Sequence, residues 1–247
     1  MSALQAEVAE LQARLQQSEA EKLALQAELE NFVRNVSHDL RAPLRHISAY
    51  APLVREMLAE GEDPSACLDT LEQSARNMAS MVDALLELSR LARVPMQLGE
   101  VPMAQLVAEA QRELATPSAG RAIDWQLPAD WPPVRADAGL LRQVWRHLLS
   151  NAIKFSRYQA QAQIVLGWER QGDALVFSVQ DNGVGFNPAA GGGMFELFQR
   201  LHASSEFEGA GVGLALARQI VRRHGGSMSA QGLVGAGCTL RFSLPVA

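Results

Sequence analysis

The chain is 247 residues long, carries a net charge of −5, and is 48% hydrophobic and 20% charged; this leaves room for one large or two medium domains and gives no basic footprint for nucleic acid. Its two cysteines, Cys67 and Cys238, form no CxxC or Cys/His cluster and fit a reducing compartment as ordinary core or surface thiols. The Glu- and Gln-rich start has no signal-peptide pattern and no run approaches the roughly 20 apolar residues of a bilayer span, so we expect a cytoplasmic chain without a membrane segment.

Residues 1 to about 58 read as one long helix, rich in the good helix formers Ala, Leu, Gln, Glu and Lys. Leu4, Val8, Leu11, Leu15, Leu25, Leu29, Phe32 and Val36 keep a heptad spacing if Ser18 and Lys22 fill two polar slots. One helix cannot bury such a seam alone, so the pattern predicts a parallel dimer, with Lys22 weakening the zipper locally and helping to fix register or oligomer state. His38 follows Val36 by two positions and should leave the seam for solvent. Pro43 removes a backbone donor and predicts a kink costing about 3 kcal/mol, either a tolerated bend or a hinge. Residues 61–64 read as a turn. A second amphipathic helix then carries Cys67, Leu68, Leu71, Ala75, Met78, Met81, Val82, Leu85, Leu86, Leu88 and Leu91. A turn this short predicts an antiparallel hairpin, and two hairpins from a dimer make a four-helix bundle.

Pro95 ends that helix. Short strands are expected at 96–101 and 123–127 with a helix near 103–114 between them, and loops at Ala119-Gly120 and Trp131-Pro132-Pro133. A helix follows over about 138–156. Two strands, 161–169 and 174–180, surround a turn at Gln171-Gly172. Residues 181–213 read as irregular and glycine-rich. A helix over 212–224 is stopped by Gly225-Gly226, and strands at about 227–232 and 238–244 close the chain. The fold class is therefore multidomain: a coiled coil and antiparallel helical hairpin, then an α/β domain with one sheet covered by helices.

Three stretches could carry chemistry. Asp181 ends an expected strand, with Gly183 and Gly185 just after it, so a carboxylate could accept a hydrogen bond while the backbone approaches a flat ligand. The same pattern is a common turn. Gly209, Gly211 and Gly213 open a helix, where backbone donors and the positive dipole end suit phosphate. This is neither a Walker loop nor a Rossmann fingerprint, since Leu214 holds the last glycine position, and a glycine-rich cap without ligand is the plainer alternative. Asn151 and Lys154 share one helical face with His147 a turn earlier. An amide oxygen can ligate Mg²⁺ and an ammonium can meet phosphate, although a solvated face would look the same.

Their order along the chain is more specific than any one of them. His38-Asp39-Leu40-Arg41-Ala42-Pro43-Leu44 resembles the H-box of sensor histidine kinases, and residues 148–156 resemble their N-box. Residues 181–185 are similar to the G1 box, 195–200 to the F-box and 209–213 to the G2 box. Phe198-Gln199-Arg200-Leu201-His202 and Glu206-Phe207-Glu208-Gly209 look most like the kinase modules of phytochrome-type receptors. The resemblance covers the chain from about Phe32 onward. It implies a coiled-coil signalling linker over 1–30, a dimerisation and histidine-phosphotransfer domain over 31–95, and a catalytic ATP-binding α/β sandwich over 96–247.

By the same resemblance, His38 would be the phosphoacceptor and Asp39 its acidic helper, holding one ring N–H so that the other nitrogen attacks. Asp181 would accept the adenine amine, Asn151 would ligate Mg²⁺, and Lys154 and Arg200 would meet the phosphates of ATP. Gly183 and Gly185 would line the base, and Gly209, Gly211 and Gly213 the phosphates. Residues 186–208 would form the ATP lid, with Gly191-Gly192-Gly193 loosening its first half. The implied partners are a second copy of the chain and the receiver domain of a response regulator, docking near Ala49, Tyr50 and Leu53. A sensory domain upstream is expected and is absent from this chain. Three positions depart from the pattern. Ala42 stands where many members carry Thr or Asn and implies weak or absent phosphatase activity. His147 replaces an Asn of the N-box and is a poor Mg²⁺ ligand, and Ala210 replaces a common Thr. Two rivals follow: a degenerate kinase serving as a dimeric phosphotransfer or nucleotide-binding scaffold, and another ATPase of the same fold, of chaperone or mismatch-repair type, against which the H-box speaks.

Overall fold

The structure is a computed structural model that describes residues 3–115, 118, 120–203 and 206–246, without the side chains of 3–10, 13, 21, 24, 25, 28, 29 and 190–192. The chain packs as two units that divide between Met78 and Ala79.

In the first unit, helix α1 runs from Ala3 to Glu60 and contains both Pro43 and Pro52. Neither proline ends it: the helix is continuous through both positions. Of the heptad positions, Leu11, Leu15 and Phe32 are 57%, 60% and 39% exposed, while the side chains of Leu4, Val8, Leu25 and Leu29 lie outside the described residues. Gly61, at φ +76°, makes the turn. Helix α2 (Ser65–Arg93) then opens under Asp63, whose carboxylate accepts from the Ser65 amide at 3.0 Å and its hydroxyl at 2.5 Å. Cys67 donates to the sulfur of Met57 at 3.7 Å, joining the two helices beside the turn.

The second unit holds β1 (Gly99–Val101), α3 (Met103–Ala115), β2 (Ile123–Gln126), β3 (Val134–Ala136), α4 (Ala138–Phe155), β4 (Ala162–Gln171) and β5 (Ala174–Asp181), then α5 (Gly213–Arg223), β6 (Met228–Gly232) and β7 (Cys238–Pro245). The main sheet has the order β2-β4-β5-β7-β6, with β2 parallel to β4 and the other pairs antiparallel. β1 and β3 form a separate antiparallel pair. The strand at 134–136 was not expected, because Pro132-Pro133 signals a loop and three residues are too few to show alternation. The strand expected at 96–101 shortens to Gly99–Val101.

Helices α3, α4 and α5 share one apolar core with the sheet, in which Trp145, Phe177 and Phe242 are at most 1% exposed. Phe177 and Phe242 stack at 5.0 Å, and Trp145 meets Phe242 edge-on at 5.3 Å. The Trp145 indole N–H points at the sulfur of Met103, 3.0 Å away. Burial of each large apolar side chain contributes about 1.5–3 kcal/mol. The register of β5 also sets up the site. Leu175, Phe177, Val179 and Asp181 are its buried alternate residues, so a period of two carries the carboxylate of Asp181 onto the core-facing side at the end of the strand.

Candidate functional site

His38 stands on α1 with its side chain 76% exposed, beside Asp39 at 21%. Its Nδ1 lies 3.0 Å from Asp39 Oδ1. An ionised carboxylate can only accept, which makes Nδ1–H the donor in this contact; in the neutral tautomer that fits it, the ring's lone pair sits on Nε2. Neighbouring residues on a helix do not normally face each other; here a short aspartate bends alongside the ring.

The other candidate groups gather in the second unit. Helix α4 starts at the cap Asp137, whose side chain accepts from the Leu140 amide at 3.1 Å. His224 joins α5 to this cap, accepting from the Asp137 amide at 3.0 Å and donating through Nδ1 to Ile220 at 2.8 Å. Leu141, Val144, Trp145, Leu148, Leu149 and Ala152 take the buried face of α4. His147, Asn151 and Lys154, at spacings of four and three, are left to line a cavity of about 560 Å³ with Asp181, Gly185, Arg200, Gly209, Gly211 and Gly213. That volume suits a drug- or nucleotide-sized ligand. Gly183 is the one expected base-lining residue that does not line it. A Cβ there would sit 2.5 Å from the Phe155 carbonyl, so its role is to let the loop after β5 press on the end of α4.

Polar and charged groups line the cavity among its apolar walls. Asp181, 6% exposed, accepts from the Gly183 amide at 2.9 Å and from the Cys238 amide. Burial pushes its carboxyl up to about 6, against the lowering pull of those two amides. Cys238 lines the cavity beside it, and burial followed by the charge of Asp181 pushes its thiol up to about 12, so it is inert as a nucleophile. Gly211, at φ +72°, lies where a Cβ would come 2.6 Å from the Gln199 carbonyl. Only glycine lets the backbone pass there. Helix α5 begins at Gly213 with no side-chain cap, which leaves its first amides open toward an anion.

Lys154 and Arg200 line the cavity but are engaged with backbone carbonyls that follow Arg200 in the chain. Lys154 Nζ is 3.4 Å from the Glu208 carbonyl and 4.3 Å from the Phe155 ring centre. Arg200 donates to the carbonyls of Ala203, at 3.3 Å, and Phe207. Burial lowers both cations, and the charge of Glu208 works in the opposite direction. His147 packs its Nδ1 3.0 Å from where a Gly213 Cβ would be. Its Nε2 is buried without a hydrogen-bond partner among the described residues. Burial, then the nearby charge of Arg146, holds this imidazole down at about 4.

Sequence reasoning missed Arg121, Arg157 and Phe207. Arg121 closes the end of α4 by donating to the carbonyls of Ile153 at 2.5 Å and Ser156 at 2.8 Å. Arg157 had a weak signal, a basic residue just past the last turn of a helix; Phe207 stood in the stretch resembling phytochrome-type kinase modules without a role assigned to it, and Arg121 had no signal. The glycine run expected to loosen the lid falls in a short 3-10 helix, Pro188–Gly193.

Residues 28–93 match the family model described as His Kinase A (phospho-acceptor) domain. Residues 136–247 match Histidine kinase-, DNA gyrase B-, and HSP90-like ATPase. The chain is 35% identical, over 96% of its length and 26% of the relative's, to the methanogenesis regulatory histidine kinase FilI of Methanothrix harundinacea (strain 6Ac). It is 32% identical, over 89% of its length and 29% of the relative's, to the phytochrome-like protein Cph1 of Synechocystis sp.. Among solved structures, full-length ShkA in complex with AMPPNP aligns at 27% identity and a TM-score of 0.57, covering 88% of this chain and 46% of that one. The chain thus spans less than a third of the length of the two curated relatives. With a phosphoacceptor-domain match followed by an ATPase-domain match over a helical hairpin and an α/β sandwich, the chain belongs to the sensor histidine kinases as a kinase core.

Proposed function

We propose that this chain is an ATP-dependent protein histidine kinase of two-component signalling: it autophosphorylates His38 within a homodimer and passes the phosphoryl group to an aspartate of a response-regulator receiver domain. The observation that carries this reading is the presence, in one chain, of the His38–Asp39 pair at 3.0 Å and a cavity lined by a buried carboxylate, cations and an uncapped helix start.

The residues divide the work as follows. Asp39 holds Nδ1–H, so Nε2 of a neutral ring attacks the terminal phosphorus of ATP. An N–P bond forms, the P–O bond to the leaving ADP breaks, and the Nδ1 proton is available to Asp39. Asp181, in its ionised form, accepts the exocyclic amine of adenine, with Gly183 and Gly185 shaping that end. Lys154, Arg200, the backbone of Gly209, Gly211 and Gly213 and the first amides of α5 meet the phosphates. Asn151 would hold Mg²⁺, which offsets phosphate charge when bound. Among the described residues no three His, Cys, Asp or Glu side chains converge. That suits a cation held by an amide oxygen, waters and substrate phosphates.

Residues 1–30 would act as the signalling linker, 31–95 as the dimerisation and phosphotransfer domain, 96–247 as the catalytic domain and 186–208 as the ATP lid. The exposed heptad residues Leu11 and Leu15 support a dimer seam, and Ala49, Tyr50 and Leu53 would contribute to regulator docking. Ala42 leads us to expect weak or absent phosphatase activity. The free thiols Cys67 and Cys238 suit the cytoplasm. Among the described residues no helix is long and apolar enough to cross a membrane. A degenerate scaffold is the second reading, favoured by the unpartnered Nε2 of His147.

Incubation with labelled ATP and Mg²⁺ tests the proposal. The expected result is acid-labile label that disappears in His38→Gln; acid-stable label, or none, overturns it. Nucleotide binding without any label would favour the scaffold.

A further inference from the structure

Three cations that line the cavity, Lys154, Arg157 and Arg200, lie within reach of the charge of one carboxylate, Glu208. Lys154 and Arg157 come from the end of α4, Arg200 from the lid. Arg157 Nη1 donates to the Glu208 carboxylate at 2.9 Å. Its guanidinium lies 4.4 Å from the ring centre of Phe207 and donates to the Glu206 carbonyl, which also accepts from the Tyr158 hydroxyl at 3.3 Å. Phe207, 3% exposed, packs 4.9 Å from Phe155 and 5.3 Å from His202. Residues 206–208 are therefore clamped to the end of α4. Immediately beyond the clamp, Gly209 turns with φ +115° into the glycine segment. Glu208 is held, first by its own backbone amide and then by Arg157 and Lys154, below the usual carboxylate range, so it is charged at neutral pH.

We propose that Glu208 is an internal counter-anion of the nucleotide site, parked by Arg157 against the cations that receive phosphate, and that an incoming nucleotide displaces its carboxylate. The inference rests on the proposal that the cavity takes a nucleotide. One carboxylate against Lys154, Arg157 and Arg200 leaves two positive charges uncompensated. The site therefore still attracts a polyphosphate, while the negative charge of Glu208 opposes it at close range. Glu208 thus sets the affinity of the site downward and stabilises it when no phosphate is present. Arg157 acts through Glu208 and is a positioning residue.

Calorimetric titration of the full chain with ADP and with a non-hydrolysable ATP analogue tests this. Glu208→Gln keeps the shape and removes the charge. It should tighten binding about two- to fivefold, the size of one partly exposed charge pair, and the gain should shrink as salt is raised. Glu208→Asp should stay close to the parent. In an Arg157→Gln background the carboxylate is no longer parked, and adding Glu208→Gln should bring no gain. Unchanged or weaker binding in Glu208→Gln overturns the inference, as does a gain that survives intact without Arg157. If the unsubstituted chain binds no nucleotide, the nucleotide-site proposal fails instead.

Discussion

His38, 76% exposed, finds its partner Asp39 in the next residue of its own helix. Asp181, 6% exposed, has its partners only because the loop after β5 and the start of β7 converge on the end of β5. The first arrangement needs a helix and two adjacent residues. The second needs a completed domain, because a carboxylate is stable out of water only where fixed donors surround it. Damage should follow the same division. Lost packing should abolish nucleotide binding and leave the helix that bears His38 in place, whereas a change at the pair should alter transfer and nothing else.

The largest expected effect comes from the core. Trp145→Ala removes the side chain that meets Phe177, Phe242 and Trp131 and should destabilise the second unit by about 3–5 kcal/mol. Near-ultraviolet circular dichroism and nucleotide titration should both report its loss, while most of the far-ultraviolet helix signal of α1 persists. Nucleotide affinity unchanged in a protein this damaged would break the comparison. Next in size is Asp39→Asn. Loss of the negative charge on the Nδ1–H acceptor, and of its ability to take the proton, should slow autophosphorylation about 100-fold, with nucleotide affinity and melting temperature unaltered. A matching loss of affinity would mean that the pair is coupled to the nucleotide site.

The same contrast explains what could be read from the sequence. Helix α4, the β4–β5 hairpin, α5 and the closing strands were legible, because each has a long apolar period and a marked stop such as Gly225. Eight of the nine residues expected at the nucleotide site line one cavity, and their order along the chain was visible as motifs. Strand β3 was not legible, being three residues behind two prolines. Nor was the clamp of Arg157 on residues 206–208, which lies about 50 residues away along the chain and combines the Glu208 carboxylate and the Phe207 ring with the Glu206 carbonyl. Backbone acceptors leave no mark in side-chain identity. The pKa of Asp181 was equally hidden, since it depends on how completely α4, β5 and β7 exclude water.

That value gives the third prediction. Burial raises the Asp181 carboxyl to about 6, so the folded, nucleotide-free protein binds this proton more readily than the unfolded chain does. The ionised group is thus a growing cost to stability as pH rises from the ordinary carboxylate range through 6. Adenine needs the ionised acceptor, so binding has the opposite sign: affinity should be full above pH 6 and fall up to about tenfold per pH unit below it. Calorimetry between pH 5 and 8 would show this, and Asp181→Asn should bind weakly with a flat profile. A bend that persists in Asp181→Asn would assign the titration to another group.

The smallest effect belongs to His147. Its Nε2 is buried without a partner among the described residues, and burial keeps the ring neutral down to about pH 4. It therefore cannot supply the bend near pH 6, and His147→Asn should leave that midpoint where it is. The substitution offers an amide that both donates and accepts, one turn before Asn151, and should tighten Mg²⁺-dependent nucleotide binding about two- to fivefold, the worth of one net hydrogen bond. Stability carries the complementary sign. A histidine depressed in the fold loses stability as pH falls from the ordinary histidine range toward 4, because only the unfolded chain takes the proton. His147→Asn should accordingly show a shallower fall in melting temperature between pH 7 and 5. A steeper fall, or weaker binding in the variant, would mean that the imidazole already has a ligand-side role, and that the buried site tolerates this departure from the family pattern by using it.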